Sequence, residues 1–368
     1  MNRTLTKITS VEAVCFIIIS TLNRTILNLP QPILKSCGSS SLLNIIYMGI
    51  IGFIFILLLI KLFKNFTNYD IIDISQYVGG NILKNIVGVL MCLYLIAFAS
   101  FLIRDFADVI NCLYYNETTI LFLILFFVGT AFISNLFGSN SIFRVNAIVS
   151  IIMGISLIIT FLSVIPNIVL QRIFPIFGNG IKETFGTGLT NLNALNGLIL
   201  IYFVCPFLTD KKDFGKISKI SVIIANIVLF LSTACLLLSL SFSTNVNDIS
   251  AFYTLISNNE FGDFFQHPES LFVFTWILSI LSYLNIMVLL ILKFSQKVIP
   301  VKNNRIVLII ICVIIFSLAM LPHNIIEARN YENFIYNFIS MPLGFIAFPI
   351  ILIIAKKKKK KKGHSSNE

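Results

Sequence analysis

Charged residues, histidine and tryptophan are scarce in this sequence of 368 residues. Only 12% of the residues are charged, with three histidines and one tryptophan, whereas 57% are apolar. A soluble domain carries about 25% charged residues, so this chain has too little polar surface to cover itself in water. The sequence also lacks a Ser/His/Asp set, a Walker loop and paired catalytic carboxylates, which argues against an enzyme. The seven cysteines are scattered without a CxxC pair, so we expect no disulfide framework, metal site or cofactor.

Long runs of Phe and Ile without Lys, Arg, Asp or Glu recur along the chain. A bilayer core of about 30 Å is crossed by about 20 such residues in a helix. We therefore predict an all-α integral membrane protein: a permease-like domain over residues 1–355 with about ten transmembrane helices, then a basic tail over 356–368. The predicted spans are 12–34, 41–63, 82–104, 118–137, 145–165, 188–208, 219–243, 269–292, 305–322 and 333–355.

The cations are distributed unequally between the two sides of this predicted bundle. The net charge is +11, and seven of the 27 basic residues form the run Lys356 to Lys362. With alternating loops, 21 cations fall on the side of the N-terminus and four on the other. This is the positive-inside pattern of a membrane protein, so we predict cytoplasmic termini and no nucleic-acid partner. The lysine run is expected to meet anionic lipid headgroups; the alternative is a solvated tail without a specific role.

Two predicted spans contain residues that disfavour a continuous helix. The second half of span one carries Asn23, Arg24, Pro30 and Pro32, and span six opens with Gly186-Thr187-Gly188. Broken helices persist in a membrane only where they face protein or a wet cavity. Interrupted helices at matching positions of two halves indicate a transporter-type binding site. Spans one and six of ten have the layout of a 5+5 inverted repeat, although no direct sequence repeat is visible.

We predict that the ligand meets these two irregular spans. Freed backbone N–H groups at half-helix N-termini suit a carboxylate. Arg24 is either a ligand or gating contact, or a side chain that reaches the interface from a span that ends early. The predicted ligand-binding residues in these spans are Asn23, Arg24, Thr25, Asn193, Asn196 and Gly197.

Three further polar positions have alternative interpretations. Arg104 and Asp108 are four residues apart, which favours an ion pair at the end of span three over a ligand contact. Glu269 follows Pro268 at the start of span eight, as in an ordinary helix start. A single histidine such as His323 is usually structural.

Several segments resemble the spore germination permease family, the B subunits of nutrient germinant receptors. The clearest is Pro268-Glu269-Ser270-Leu271-Phe272, with Trp276 seven residues after the Glu. Other matching segments are Pro30, Gly38, Arg104-Asp105-Phe106-Ala107, Phe174-Pro175-Ile176 with Gly180, Pro206-Phe207-Leu208 and Leu321-Pro322-His323-Asn324-Ile325-Ile326-Glu327. Together they extend over nearly the whole chain.

This resemblance implies a LeuT-like fold of the amino acid–polyamine–organocation superfamily, in the inner membrane of the spore. It implies assembly with an A subunit and a lipoprotein C subunit, and a small nutrient germinant, commonly an amino acid, between spans one, three, six and eight. It also moves Glu269 from a helix cap toward a pocket or channel-lining role, and we include Arg104 and Glu269 among the predicted ligand-binding residues. The family's span-six acid is absent, since this segment is Leu195-Asn196-Gly197, and Leu42 stands near the place of a frequent Trp.

Three functional hypotheses follow. The first is a germinant-sensing receptor subunit that triggers germination. The second is an autonomous secondary transporter of amino acids. The third is a passive water or ion conduit lined by polar faces such as that of Glu269, and it is compatible with the first.

Overall fold

The computed structural model describes residues 7–27, 30–114, 118–241, 248–258, 268–299 and 303–364, and of residues 24–27, 268 and 361–364 only the backbone. Within these ranges the regular secondary structure is helical, apart from a single bridge between Ile8 and Leu208. Seven helical segments are long and apolar enough to cross a membrane, and three shorter apolar helices accompany them. The fold class, an all-α integral membrane protein, is confirmed.

The helices fall where the ten spans are predicted, and we keep the span numbers for them. Short helices Ile181–Phe185 and Ala251–Ser257 lie between spans. The spans are Ser10–Leu27 with Pro30–Cys37 (one), Ser41–Phe63 (two), the later part of Ile71–Leu113 (three), Ile120–Leu136 (four), Ser139–Val164 (five), Thr187–Leu200 with Ile201–Val204 (six), Phe214–Ser239 (seven), Pro268–Val298 (eight), Asn304–Ala319 (nine), and Ile325–Ile335, Tyr336–Ser340, Pro342–Ala347 and Phe348–His364 (ten).

The first and last described parts of the chain, around Ile8 and Lys359, lie at the same end of the bundle, which we call the terminal face. The backbone N–H of Ile8 donates to the carbonyl of Phe207, 2.8 Å away, just after span six. Lys359 of span ten donates to the carbonyl of Asn65, after span two. An even number of crossings produces this arrangement. The 5+5 inverted repeat itself stays a prediction.

Apolar side chains cover the outside of the bundle. Along span five, Ile148, Ile151, Ile155 and Leu162 are each more than half exposed. Continuous apolar surface of this kind is unfavourable in water and matches a hydrocarbon solvent.

Several helix ends differ from the predicted ones: span three ends at Leu113, span eight ends at Val298, and span ten begins at Ile325. We expected Arg104, Asp105 and Asp108 to close span three, but the helix continues to Leu113. Arg104 pairs with Asp108, and Arg329 pairs with Asp105, so these charges are neutralised locally and do not end the helix. The basic tail also begins as helix, because Phe348–His364 includes the whole lysine run.

Candidate functional site

Span six has an unusual backbone over most of its length. Residues Thr187–Leu200 form a 3₁₀-helix of 14 residues, although 3₁₀ runs longer than three or four residues are uncommon and often mark hinges. Gly, Thr and Asn, which are frequent here, are weak formers of α-helix. Three residues per turn place Asn193 and Asn196 one above the other on the same side of the helix. The predicted irregularity of span six is therefore confirmed.

Span ten is irregular at the same level. Residues Tyr336–Ser340 and Pro342–Ala347 are π-helical, and π-turns occur frequently at functional sites. Asn193 of span six donates a hydrogen bond through Nδ2 to Oδ1 of Asn337 in span ten. The hydroxyl of Tyr202 donates to the carbonyl of Gly344 at 2.6 Å. The two irregular segments therefore face each other through polar groups.

A buried triangle of uncharged polar side chains joins spans three, six and ten. Asn196 donates from Nδ2 to the hydroxyl of Tyr94 at 3.3 Å. Ser340 donates to Asn196 Oδ1 and also lies 3.3 Å from the Tyr94 hydroxyl. All three side chains are at most 4% exposed. Burying such groups costs several kcal/mol unless they are hydrogen-bonded, and here they satisfy one another. We call Tyr94, Asn196 and Ser340 the polar centre.

Span one approaches the polar centre through Gly197. A Cβ added to Gly197 would lie 2.4 Å from Thr21 Oγ1, 2.7 Å from Thr21 Cα and 2.9 Å from the carbonyl oxygen of Ser20. The backbones of spans one and six therefore pack directly against each other, which only glycine permits at this position. Two residues farther along span one, Asn23 donates to the carbonyl of Ser279 in span eight at 3.2 Å.

The space beside the polar centre is small. A crevice of about 10 Å³ lies between spans two, six and ten, which is room for about one water molecule. Its lining is largely apolar and includes Gly52, Phe55, Leu195, Asn196, Tyr202 and Gly344. A ligand of amino-acid size would enter this crevice only if the surrounding spans moved apart.

The predicted ligand residues separate into two groups. Asn23, Asn193, Asn196 and Gly197 lie at the contacts between spans one, six, eight and ten just described. The side chains of Arg24 and Thr25 lie outside the described residues. That part of the prediction is not tested.

Arg104 lies apart from the polar centre. It is ten residues beyond Tyr94 on the same helix, a rise of about 15 Å. Its Nε donates to both carboxylate oxygens of Asp108, at 3.1 and 3.0 Å, and Nη1 donates to the carbonyl of Ala319 at 3.3 Å. The predicted ion pair is confirmed. It joins spans three and nine at the face opposite the termini.

Glu269 is likewise distant, at the first turn of span eight and ten residues before Ser279. Its helix begins at Pro268, as predicted from the proline and the neighbouring acid. Glu269 lies close enough to act electrostatically on Tyr114. Its position places it at the opposite face rather than at the polar centre.

Sequence reasoning missed Tyr94, Asn337 and Ser340. These uncharged residues sit in strongly apolar segments, where a single hydroxyl or amide does not interrupt the hydropathy. A signal was nevertheless present: Asn337 and Ser340 repeat the three-residue spacing of Asn193 and Asn196, and Pro342 follows.

Two segments that carry the family resemblance pack against each other. The ring of Trp276, which is 1% exposed, lies 4.8 Å from that of Phe106, centroid to centroid and edge to face. Phe106 follows Asp105, which accepts a hydrogen bond from Arg329 Nε at 2.9 Å. These residues therefore stabilise the contact of spans three, eight and ten.

Comparison with known proteins agrees with the sequence resemblance. A family described as spore germination proteins, the spore permease family, matches residues 7–328. Spore germination protein B2 of Bacillus subtilis (strain 168) is 22% identical over 237 residues, which is 64% of this chain and 64% of that protein. The alignment thus spans somewhat less than two thirds of this relative. Members of such a family are permease-type membrane proteins rather than enzymes. Because the family matches nearly the whole chain, the protein belongs to the spore permease family of spore germination proteins.

Proposed function

We propose that this protein is the B-type subunit of a nutrient germinant receptor. It binds a small, amino-acid-like germinant at the polar centre and triggers germination from the inner membrane of the spore. A-type and lipoprotein C-type subunits are its partners. The observation that supports this proposal is the buried polar centre, held between a 3₁₀ and a π segment inside an otherwise apolar bundle.

The chemistry of the polar centre suits a small polar ligand. Tyr94, Asn196 and Ser340 are neutral and offer both donors and acceptors. Asn193 Oδ1 is buried without a hydrogen-bond partner in the described part of the chain, so it is available to a ligand donor. The ammonium group of such a ligand would donate hydrogen bonds to amide and hydroxyl oxygens, since span six carries no acid at residues 195–197. A carboxylate would be held by backbone N–H groups at a helix N-terminus.

The small crevice implies that binding is coupled to a conformational change. Entry of the germinant separates span six from span ten or span one, and the opened arrangement is the one that the ligand favours. A ligand shifts such an equilibrium only by its difference in affinity for the two states. Partner subunits in contact with the moving spans would then sense the ligand.

The test is germination of spores that carry Asn196→Ala or Tyr94→Phe, across a panel of single amino acids. Loss of one ligand hydrogen bond, worth about 0.5–1.5 kcal/mol, raises the half-maximal germinant concentration about 2- to 13-fold. Asn135→Ala is a matched control, since Asn135 is also buried and donates across helices, to the carbonyl of Asn285. Unchanged dose–response in both centre variants, at normal protein levels, would refute the assignment.

A second candidate function, passive conduction of water, is favoured by a polar seam on span eight. Four of its side chains repeat at helical spacing along one face: Thr275, Ser279, Ser282 and Asn285. Thr275 donates to Ser156 at 3.0 Å, and Ser282 to Asn146 Oδ1 at 3.2 Å. Toward the terminal face, Asn146 Nδ2 and Asn285 Oδ1 are buried without partners among the described residues, as in sites that hold water.

Osmotic shrinkage of proteoliposomes without germinant tests this second function. Asn146→Leu removes the central amide of the seam and should slow water flux, whereas Asn196→Ala should not. Amino acid uptake by the same liposomes would instead identify an autonomous transporter.

A further inference from the structure

A short helix at the terminal face connects span two to span three. It comprises residues 71–78, and we call it the cross-helix. Gly79 and Gly80 separate it from the remainder of the helix that forms span three. Gly80 has φ +67° and ψ −161°, a region that is essentially restricted to glycine. This break releases the last carbonyls of the cross-helix from the ordinary helical hydrogen-bond pattern.

The beginning of the cross-helix is held by span eight. Asp70 caps the helix by accepting from the backbone N–H of Asp73 at 3.0 Å, and the backbone N–H of Asp70 donates in turn to the Asp73 carboxylate at 3.4 Å. Lys297, near the end of span eight, lies 2.5 Å from Asp70 Oδ2 and 2.6 Å from Asp73 Oδ2. Asp70 is buried, whereas Asp73 and Lys297 are partly exposed. One ammonium group therefore joins two carboxylates across this contact.

The end of the cross-helix is held by span ten. Lys358 Nζ donates to the carbonyls of Tyr77 at 3.0 Å and Val78 at 3.2 Å, and lies 5.6 Å from the centre of the Tyr77 ring. A cation at the last carbonyls of a helix is a favourable arrangement. Lys359 lies beside it, 5.2 Å from the Phe66 ring centre. Part of the lysine run thus binds the protein itself.

We propose that the cross-helix is a proton-sensitive latch that fixes the ends of spans eight and ten at the terminal face. In the closed latch, Lys297 and Lys358 hold opposite ends of one rigid helix, so the two spans are kept at a fixed separation. When the Asp70 contact opens, the end of span eight is free to move relative to span ten, and the buried groups behind it meet water.

The charges around Asp70 determine the direction of the response. Burial raises the pKa of Asp70 to about 6, although Lys297 opposes this shift, and the nearby Asp73 carboxylate adds to it. From span six, Cys205 lies within electrostatic range of both Asp70 and Lys211. In the open latch Asp70 is in water, and its pKa returns toward the ordinary value of 3.8. The closed state therefore binds a proton more tightly, and the closed-to-open ratio falls about tenfold from pH 5 to pH 7.

Cys205 provides a reporter within the unmodified protein. It is 0% exposed at the end of span six and lies within electrostatic range of Asp70, and we expect opening of the latch to expose its thiol. The experiment measures labelling of Cys205 by N-ethylmaleimide in the full-length protein in liposomes, resolved from the other cysteines by peptide mass spectrometry. Each rate is divided by that of the same cysteine in the unfolded chain at the same pH. This ratio removes the pH dependence of thiol reactivity.

We expect the normalised rate to be about tenfold higher at pH 7 than at pH 5. Asp70→Asn keeps an equally good helix cap but cannot titrate, so its normalised rates at the two pH values should be equal. Asp73→Asn, on the same turn and the same lysine, retains Asp70 and should keep the rise. Lys358→Gln releases the other end of the cross-helix and should raise labelling at both pH values.

Equal normalised rates at pH 5 and pH 7 in the unaltered protein would overturn the proposal without any variant. A full pH response in Asp70→Asn would overturn it as well. The measurement uses no germinant, so its outcome is independent of the function proposed for the polar centre.

Discussion

Substitution of Gly197 tests the close contact of spans one and six. In Gly197→Ala, the new methyl group would lie 2.7 Å from Thr21 Cα and 2.9 Å from the Ser20 carbonyl oxygen. Both are backbone atoms, so relief requires movement of a whole span. Overpacking of this kind costs about 1–3 kcal/mol, which exceeds the gain of about 0.5–1 kcal/mol from the lower backbone freedom of alanine. We expect the free energy of unfolding to fall, measured by titration with SDS in mixed micelles.

Four companion variants separate this explanation from a general sensitivity to alanine. Thr21→Ala combined with Gly197→Ala should not restore stability, because the backbone contacts remain. Gly52→Ala is different: its methyl would meet only the end of the Leu195 side chain, at 2.5 Å, so Gly52→Ala should cost less in a Leu195→Ala background than in the unaltered protein. Gly154→Ala has no atom within 4 Å and should be neutral or stabilising. Wild-type stability of Gly197→Ala, or its recovery by Thr21→Ala, would refute the reasoning.

Three other substitutions have defined outcomes. Arg329→Met leaves the buried Asp105 without its arginine and should lower the free energy of unfolding by about 3–5 kcal/mol. The double variant Arg329→Met/Asp105→Asn should recover part of this loss. Equal stability of the single and double variants would contradict the explanation. Gly80→Ala forces a side chain into the backbone conformation at φ +67°, which should destabilise the protein by about 1–3 kcal/mol in the same SDS titration. Tyr202→Phe removes the hydrogen bond to the Gly344 carbonyl and should cost about 1 kcal/mol, and an unchanged midpoint would show that this bond contributes no stability.

The positions of the spans could be predicted from the sequence because hydrocarbon imposes a simple rule on composition. Runs without charge mark the crossings, and most boundaries agree within a few residues. The rule failed at span three, where Arg104 and Asp108 neutralise each other inside a continuing helix. Charge alone does not reveal whether a residue has a partner from a distant segment, as Asp105 has in Arg329.

The candidate site could be predicted only in part. Clustered Asn and Gly residues indicated span six, because these residues weaken an α-helix locally. The contribution of span ten depends on tertiary packing: Ser340 acquires its role from Asn196, which is far away in the chain. The contacts of the cross-helix could not be predicted for another reason. Lys297 meets Asp70 from 227 residues away in the chain, and nothing in the local sequence indicates such a partner.

The pairing of Ile8 with the segment that follows span six has a consequence for biosynthesis. Ile8 donates to Phe207 and accepts from Thr209, yet those residues leave the ribosome only after the first six spans have been made. Ile8 therefore lacks these hydrogen-bond partners while the first half of the protein is synthesised. Contacts between such distant positions form late and slowly. Docking of the first helix is thus a late step of assembly. A deletion that removes Ile8 should therefore impair assembly of the protein before it affects the activity of the mature protein.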